Sequence, residues 1–337
     1  MTLDIQKNVS LKRYNTFGIE VFADEFIEIN SIEQLQEALK LKKDFFILGG
    51  GSNMLLTQNI KKCVLYINLK GIEIINEDKE FVFVKVQAGE VWHEFVLWCI
   101  ANNYGGLENL SLIPGSVGAS PIQNIGAHGV EIKDCFYKLK AIEIATGKRK
   151  VFELTDCNFG YRNSIFKQEL KGKYIITSVI YKLTKSNHKL NLSYGTVQSE
   201  LDAAGITSPT IKDVSDIIIG VRSRKLPDPK EIGNSGSFFK NPVIPITLFE
   251  KIKAKYPEVP SYPISDTEIK VPAGWLIEKS GFKGQRFGEA GVHKNQALVL
   301  VNYGDATGDE VYKVAQNIQA KVKELFNIAL EIEVNVI

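Results

Sequence analysis

The chain has 337 residues, 44% of them apolar and 24% charged, with 41 Lys+Arg against 39 Asp+Glu. Such a globular composition excludes disordered and fibrous classes, and the near-neutral balance leaves no electrostatic footprint for nucleic acid. The length exceeds what one core usually supports, which predicts more than one domain. Four widely spaced cysteines with no CxxC pair (Cys63, Cys99, Cys135, Cys157) point to buried thiols, and away from a disulfide framework or a zinc site. The start, MTLDIQKNVS, lacks the basic and apolar regions of a signal peptide, and no apolar run reaches the roughly 20 residues that span a bilayer. A cytoplasmic protein without a membrane partner is expected.

In chain order, Ser31-Ile32-Glu33-Gln34 predicts a capping box opening a helix with Ile32, Leu35 and Leu39 on one face. Phe45–Leu48 reads as a buried strand ending in the loop Gly49-Gly50-Gly51-Ser52-Asn53, and Val64–Leu69 as another strand. Phe81–Gln87 is β-rich and leads through Gly89 into a helix from Val91 to Asn102, where His93 reads as a surface residue. Gly105–Gly129 is too dense in glycine for regular structure, and so long a loop inside a domain is usually functional. Strand patterns at Leu139–Ile144, Lys150–Leu154 and Tyr174–Leu183 follow one another by hairpins, giving a mixed α+β block.

A helix from Thr210 carries Val214, Ile217, Ile218 and Val221 and stops before Pro227 and Pro229, a domain boundary. Beyond it come the serine loop GNSGSFFKNP (233–242), helices near Ile246–Tyr256 and Ala273–Ser280, and a strand at Gln296–Asn302. Thr307 with Glu310 then caps a long helix with Val311, Val314, Ile318, Val322 and Leu325 on one face.

Which chemistry do these loops permit? Ser237 stands in Gly-Ser-Phe-Phe, which is not the G-x-S-x-G elbow of a serine hydrolase, and no histidine sits in a triad-like setting. Gly49-Gly50-Gly51-Ser52 lacks the third glycine of a dinucleotide fingerprint, Met54 standing there, and no Gly-Lys-Ser/Thr marks a P-loop. What survives is an anion nest of backbone N–H groups. The longer loop Ile113-Pro114-Gly115-Ser116-Val117-Gly118-Ala119-Ser120-Pro121-Ile122-Gln123-Asn124-Ile125-Gly126-Ala127 is uncharged, small and rich in N–H donors. Two such loops suit a diphosphate-bearing cofactor held by the main chain.

With these motifs assembled, the chain resembles the bacterial UDP-N-acetylenolpyruvoylglucosamine reductases, flavoenzymes of peptidoglycan precursor synthesis. The resemblance runs almost end to end. It rests on Asn15-Thr16-Phe17-Gly18-Ile19, LGGGSN, IPGSVGASPIQNIGA, Gly160-Tyr161-Arg162, Lys225-Leu226-Pro227-Asp228-Pro229, GNSGSFFKNP, Ala273-Gly274-Trp275-Leu276-Ile277 and Leu330-Glu331-Ile332-Glu333-Val334. It implies an α+β fold: a FAD-binding domain of the vanillyl-alcohol-oxidase/PCMH type in two subdomains (1–73 and 74–222), then a smaller α+β substrate-binding domain (223–330). Residues 331–337 would return to the active site as a strand.

The resemblance further implies noncovalent FAD, with NADPH as hydride donor and UDP-N-acetylglucosamine-enolpyruvate as substrate, in a monomer. Gly49 to Met54, Ile113 to Ser116, Gly118, Ala119, Gln123, Asn124, Gly126 and Ala127 take the cofactor-binding positions. Hydride would pass from flavin N5 to the methylene carbon, with Ser237 donating the proton and Arg162 against the carboxylate. Ser237 is favoured over Ser235 because it directly precedes Phe238-Phe239. Glu333, favoured over Glu331, is the third catalytic position. Tyr161, Arg222, Lys225, Asn241 and Gln296 take substrate-binding positions, and Tyr194 matches a tyrosine loop (near 185–210) found in one subclass. The family commonly has tyrosine where this chain has His128. Another flavoenzyme of the same cofactor fold, such as an alcohol or sugar oxidase, is the rival reading.

Overall fold

The structure is a computed structural model and describes residues 3–193 and 195–337. Its contacts divide the chain into two compact units: 1–9, 23–50 and 60–222 form the first, and 10–22, 51–59 and 223–337 the second. Two short segments expected with the first domain, 10–22 and 51–59, thus cluster with the C-terminal third.

The first unit holds two sheets. In the four-stranded one the order is Gln6–Ser10, Phe22–Ile29, Ile60–Ile67, Phe45–Leu48, and the last two strands and Phe22–Ile29 run parallel. Helix Ile32–Lys40 presses Leu35, Ala38 and Leu39 onto Ile27, Leu65 and Ile67. Its expected cap is half formed as predicted: Ser31 accepts the Gln34 N–H, but the Gln34 side chain takes the Asn30 N–H and not that of Ser31.

The second sheet is five-stranded and antiparallel, ordered Arg149–Glu153, Phe136–Glu143, Tyr174–Thr184, Phe81–Gln87, Ile72–Glu77. Val82, Val84 and Val86 alternate inward, as a half-buried strand requires, and meet Trp92, Phe95 and Cys99 of helix Trp92–Ala101. Tyr181 sits edge-on to Trp92 at 5.9 Å, fully buried, with its hydroxyl 2.8 Å from Ser120 Oγ. A buried phenol needs that partner, and Ser120 thereby ties the long glycine loop to the sheet.

In the second unit, helix Gly308–Phe326 buries Val311, Val314, Ala315, Ile318 and Val322. Its capping box is complete, each of Thr307 and Glu310 accepting the other's N–H. The rings of Tyr256, Trp275 and Phe326 pack on one another, tilted or edge to face, at 5.4–5.8 Å, joining this helix to Ile246–Lys255 and Ala273–Lys279. The strand expected at Gln296–Asn302 is confined to Leu300–Asn302: Gln296 starts a turn, its carbonyl taking the Val299 N–H and its side chain the Leu298 N–H. Among the described residues no helix is long and apolar enough to cross a membrane.

A Cβ at Gly308 would lie 2.0 Å from the Leu56 carbonyl oxygen and 2.7 Å from Thr57 Cα, both main chain. Thr307→Ala, which loses only the cap, should cost about 1 kcal/mol. Gly308→Ala should cost about 3 kcal/mol, because the backbone must move. Urea unfolding of the two variants checks the order; equal losses would contradict it.

Candidate functional site

Within the first unit, two glycine loops meet main chain to main chain. A Cβ on Gly50 would lie 2.8 Å from Gly115 Cα, and one on Gly49 would lie 2.9 Å from Ser116 Oγ. The Gly50 N–H donates to Ser116 Oγ at 3.3 Å. The far side of Gly115–Gly118 is zipped to residues 88–92: Trp92 N–H to the Gly115 carbonyl, Val117 N–H to that of Glu90, Gly118 N–H to that of Ala88, each at 2.9 Å. This pairing turns the Gly115 and Ser116 amides outward, and they donate to no protein acceptor among the described residues. Consecutive free amides in a glycine turn form an anion nest.

Further along, Ile125 N–H binds the Ser120 carbonyl and Ile122 N–H that of Ala119, so Ala119 and Gln123 lie on a compact turn. Asn124, fully buried, donates to Glu131 (2.9 Å) and to the Gly160 carbonyl (3.1 Å), and accepts from the Lys133 amide. Gly126–Ala127 pairs with Val130–Glu131 around a two-residue turn, with His128 at φ 50° and Gly129 at φ 78°. Asn124 therefore ties the Ile113–Ala127 loop to the turn that carries Tyr161 and Arg162. That turn closes by the Gly160–Asn163 bridge, with Arg162 at φ 52° and its guanidinium 5.6 Å from the Tyr161 ring centroid.

Arg222, near the end of helix Ile211–Lys225, stands close enough to Arg162 for the two charges to act on each other. Burial pushes the Arg222 guanidinium down to about 10, and Arg162 pushes the same way. Its Nε is buried and has no partner among the described residues. Two guanidiniums so placed favour an anion between or beside them. Sequence reasoning left His93 on the surface; the structure corrects this. Its ring is half-buried, and Nδ1 accepts the Leu112 N–H at 2.9 Å.

The second unit holds the serine loop. Asn234 and Asn302 form its frame: Asn234 donates to the Pro227 and Ile232 carbonyls and accepts the Gly236 N–H. Asn302 donates to the Phe17 carbonyl and accepts the Gly304 and Ala306 N–H groups. A Cβ on Gly233 would lie 2.1 Å from the Phe17 carbonyl oxygen, so the Asn15–Gly18 motif is the loop's backing. Ser235 is buried, donating to the Met54 carbonyl (3.1 Å) with Thr16 Oγ1 at 3.3 Å. Ser237 is exposed. It bridges Val299, while Phe238 N–H binds the Leu298 carbonyl and the Phe238 carbonyl takes the Glu333 N–H.

The C-terminal segment therefore runs beside the serine loop, with Glu331 paired to Lys240. Asn241 Oδ1 accepts the Ala273 N–H at the start of helix Ala273–Lys279, and Gln296 Oε1 would lie 3.1 Å from a Cβ on Gly274 at the same end. Gly51, at φ 62°, packs on the Tyr14 carbonyl, Met54–Leu55 runs parallel to the chain end at Asn335–Val336, and the Asn53 carbonyl accepts from the Asn335 side chain. Lys225 is exposed at the helix end. Tyr194 lies outside the described residues.

With this geometry in place, relatives can be compared. A UDP-N-acetylenolpyruvoylglucosamine reductase of Flavobacterium johnsoniae is 61% identical over 337 residues, spanning 99% of this chain and 100% of its own. The chain belongs to the UDP-N-acetylenolpyruvoylglucosamine reductase family. The family's protein from Pseudomonas putida is 48% identical over 339 residues, with 99% of each chain covered. Residues 228–337 match the model described as UDP-N-acetylenolpyruvoylglucosamine reductase, C-terminal domain, and residues 23–153 that described as FAD binding domain. The solved structure of the reductase from Thermus caldophilus covers 99% of both chains at a TM-score of 0.69 and 24% identity, which bears on the fold alone. The protein is thus an oxidoreductase of this reductase family, with an α+β FAD-binding domain and a separate C-terminal α+β domain.

If the Gly50–Gly115 approach shapes the nest, Gly50→Ala should weaken FAD binding at least about tenfold, the equivalent of about 1.4 kcal/mol and within the range for overpacking. Flavin fluorescence titration of the apoprotein reads this; unchanged affinity would detach the nest from FAD.

Proposed function

We propose that this protein reduces the enolpyruvyl group of UDP-N-acetylglucosamine-enolpyruvate to UDP-N-acetylmuramate in peptidoglycan precursor synthesis, with NADPH as reductant. The observation that carries this reading is the Arg162–Arg222 pair, two like charges with a buried, unpartnered Arg222 Nε, which suits a substrate bearing both a carboxylate and a diphosphate.

The residues present fit FAD. The outward Gly115 and Ser116 amides and the cradle that a Cβ at Gly50 would fill match a diphosphate held by main chain. All four thiols are buried, and burial pushes Cys135 and Cys157 up to about 12 and raises Cys63 and Cys99. Thiols so poor in thiolate argue against a cysteinyl tether, and the FAD is proposed to be noncovalent. Bound FAD supplies the hydride that saturates the enolpyruvyl double bond, having received it from NADPH.

The chain's own residues then manage charge and one proton. Arg162 faces the carboxylate, where its planar fork suits a bidentate acceptor and draws off negative charge developing on the adjacent carbon. Ser237 gives that carbon a proton. An alcohol is a weak acid, but an enolate is base enough to take its proton, so the serine needs placement more than a lowered pKa. The commitment of Ser235 to Met54 and the exposure of Ser237 support that assignment. Glu333 acts protonated or paired with a cation, since an ionised carboxylate would repel the forming enolate. Arg222, Lys225, Asn241 and Gln296 hold the nucleotide portion, with Tyr194 closing over it.

Ser237→Ala should leave flavin reduction by NADPH at its normal rate and slow reoxidation by substrate at least about 10²–10⁴-fold. Stopped-flow absorbance separates the two half-reactions; equal loss in both would make the serine structural.

A further inference from the structure

The first turn of helix Trp92–Ala101 grips the loop that starts at Ile113 through side chains as well as main chain. Trp92 Nε1 donates to the Leu110 carbonyl at 3.0 Å, and His93 Nδ1 accepts the Leu112 N–H at 2.9 Å. Between them Ser111 Oγ donates to the Glu108 carbonyl and lies 2.8 Å from Ser215 Oγ on helix Ile211–Lys225. Leu112 sits at φ 57°, a left-handed conformation that strains a non-glycine residue and persists only where surroundings hold it. Directly after it comes the run Ile113-Pro114-Gly115-Ser116 that carries the outward amides.

We propose that His93 is a positioning residue for FAD: its neutral imidazole, as acceptor for the Leu112 amide, holds the start of the Ile113–Ala119 loop in its cofactor-binding shape and lets go on protonation. This deepens the placement of FAD at that loop and rests on it.

An imidazolium has two donors and no acceptor, so the Leu112 bond exists only with the ring neutral and its proton on Nε2. The surroundings favour that state. Burial lowers the His93 pKa; Arg222 lowers it too, while Glu94 on its own helix raises it. The acidic groups just before this helix, in the turn leading to Leu112 and on helix Ile211–Lys225 are engaged elsewhere: Glu90 accepts the Gly71 N–H, Glu108 the Gly106 N–H, Asp213 caps Thr210 and Asp216 pairs with Lys212. The loop from Leu110 to Val117 carries no titratable side chain. A histidine whose folded pKa is lowered destabilises the folded state as pH falls from its ordinary value of about 6.5 towards the lowered one. The Leu112 bond therefore holds through neutral pH and is lost on the acid side, below the ordinary histidine range.

The test compares the FAD-loaded protein with two variants at pH 7.5 and 5.5, reading flavin release by fluorescence and exchange of the Leu112 amide in the apoprotein by NMR. His93→Asn keeps an acceptor oxygen near the position of Nδ1 without a titrating group, and His93→Leu removes it. The starting protein should release FAD faster at pH 5.5 than at 7.5, by up to about tenfold, the loss expected when a buried N–H goes unpaired. His93→Asn should release slowly at both pH values, and His93→Leu quickly at both. Leu112 exchange should follow the same pattern without cofactor. An acid acceleration retained in His93→Asn overturns the proposal, as does slow release from His93→Leu at pH 7.5. Leu112 exchange that responds while FAD release does not also overturns it, and locates the fault in the placement of FAD at this loop.

Discussion

The close approach of two backbones, Gly50 against Gly115, is the constraint on which the cofactor side of this protein depends. No side chain fits between them, since even a methyl group would come within 2.8–2.9 Å of three main-chain atoms. That contact, with the zipper from Ala88 to Trp92 behind it, leaves amide hydrogens as the loop's available chemistry. A diphosphate met by amides needs no lysine, and preorganised dipoles hold it without reordering on binding. The sheet behind the zipper, with its Trp92–Phe95–Tyr181 cluster, is rigid support for a loop of little regular structure of its own.

The serine loop solves a related problem by other means. The proton-donor role proposed for Ser237 asks for a hydroxyl that is exposed yet fixed, and exposure removes the packing that would fix it. Two buried asparagines, Asn234 and Asn302, replace that packing with side-chain bonds to six backbone groups around the loop. Phe238 and Phe239 are fully buried with their rings edge to face at 5.3 Å, while Ser237 before them stays exposed. The Glu333 backbone is bonded to Phe238, the residue that follows Ser237, whereas that of Glu331 is bonded to Lys240 farther along the loop.

Much of this was legible in the letters. The long amphipathic helix with its Thr307–Glu310 box and the alternation in Phe81–Gln87 follow from spacing alone, because both report one buried face. The glycine loops were legible as nests, but their mutual contact was not, because it joins positions 66 residues apart. His93 was misread for a related reason: helical spacing says which side a residue occupies, and says nothing of an amide left free by a strained Leu112 across the loop. The motif at Asn15–Gly18 stood out as sequence, while its work as backing for Gly233 depends on residues over 200 positions away. The shortened strand at Leu300–Asn302 shows polar chemistry overriding an apolar run, since Gln296 closes a turn on Val299 with both its main chain and its side chain.

The central claim is that main-chain amides recognise the diphosphate of the cofactor. Calorimetric titration of the apoprotein with FAD and with riboflavin, which carries the same ring without phosphate, tests it most directly. FAD should bind at least about 10²-fold more tightly, as several charge-assisted hydrogen bonds would contribute. Equal affinity for the two would contradict the account.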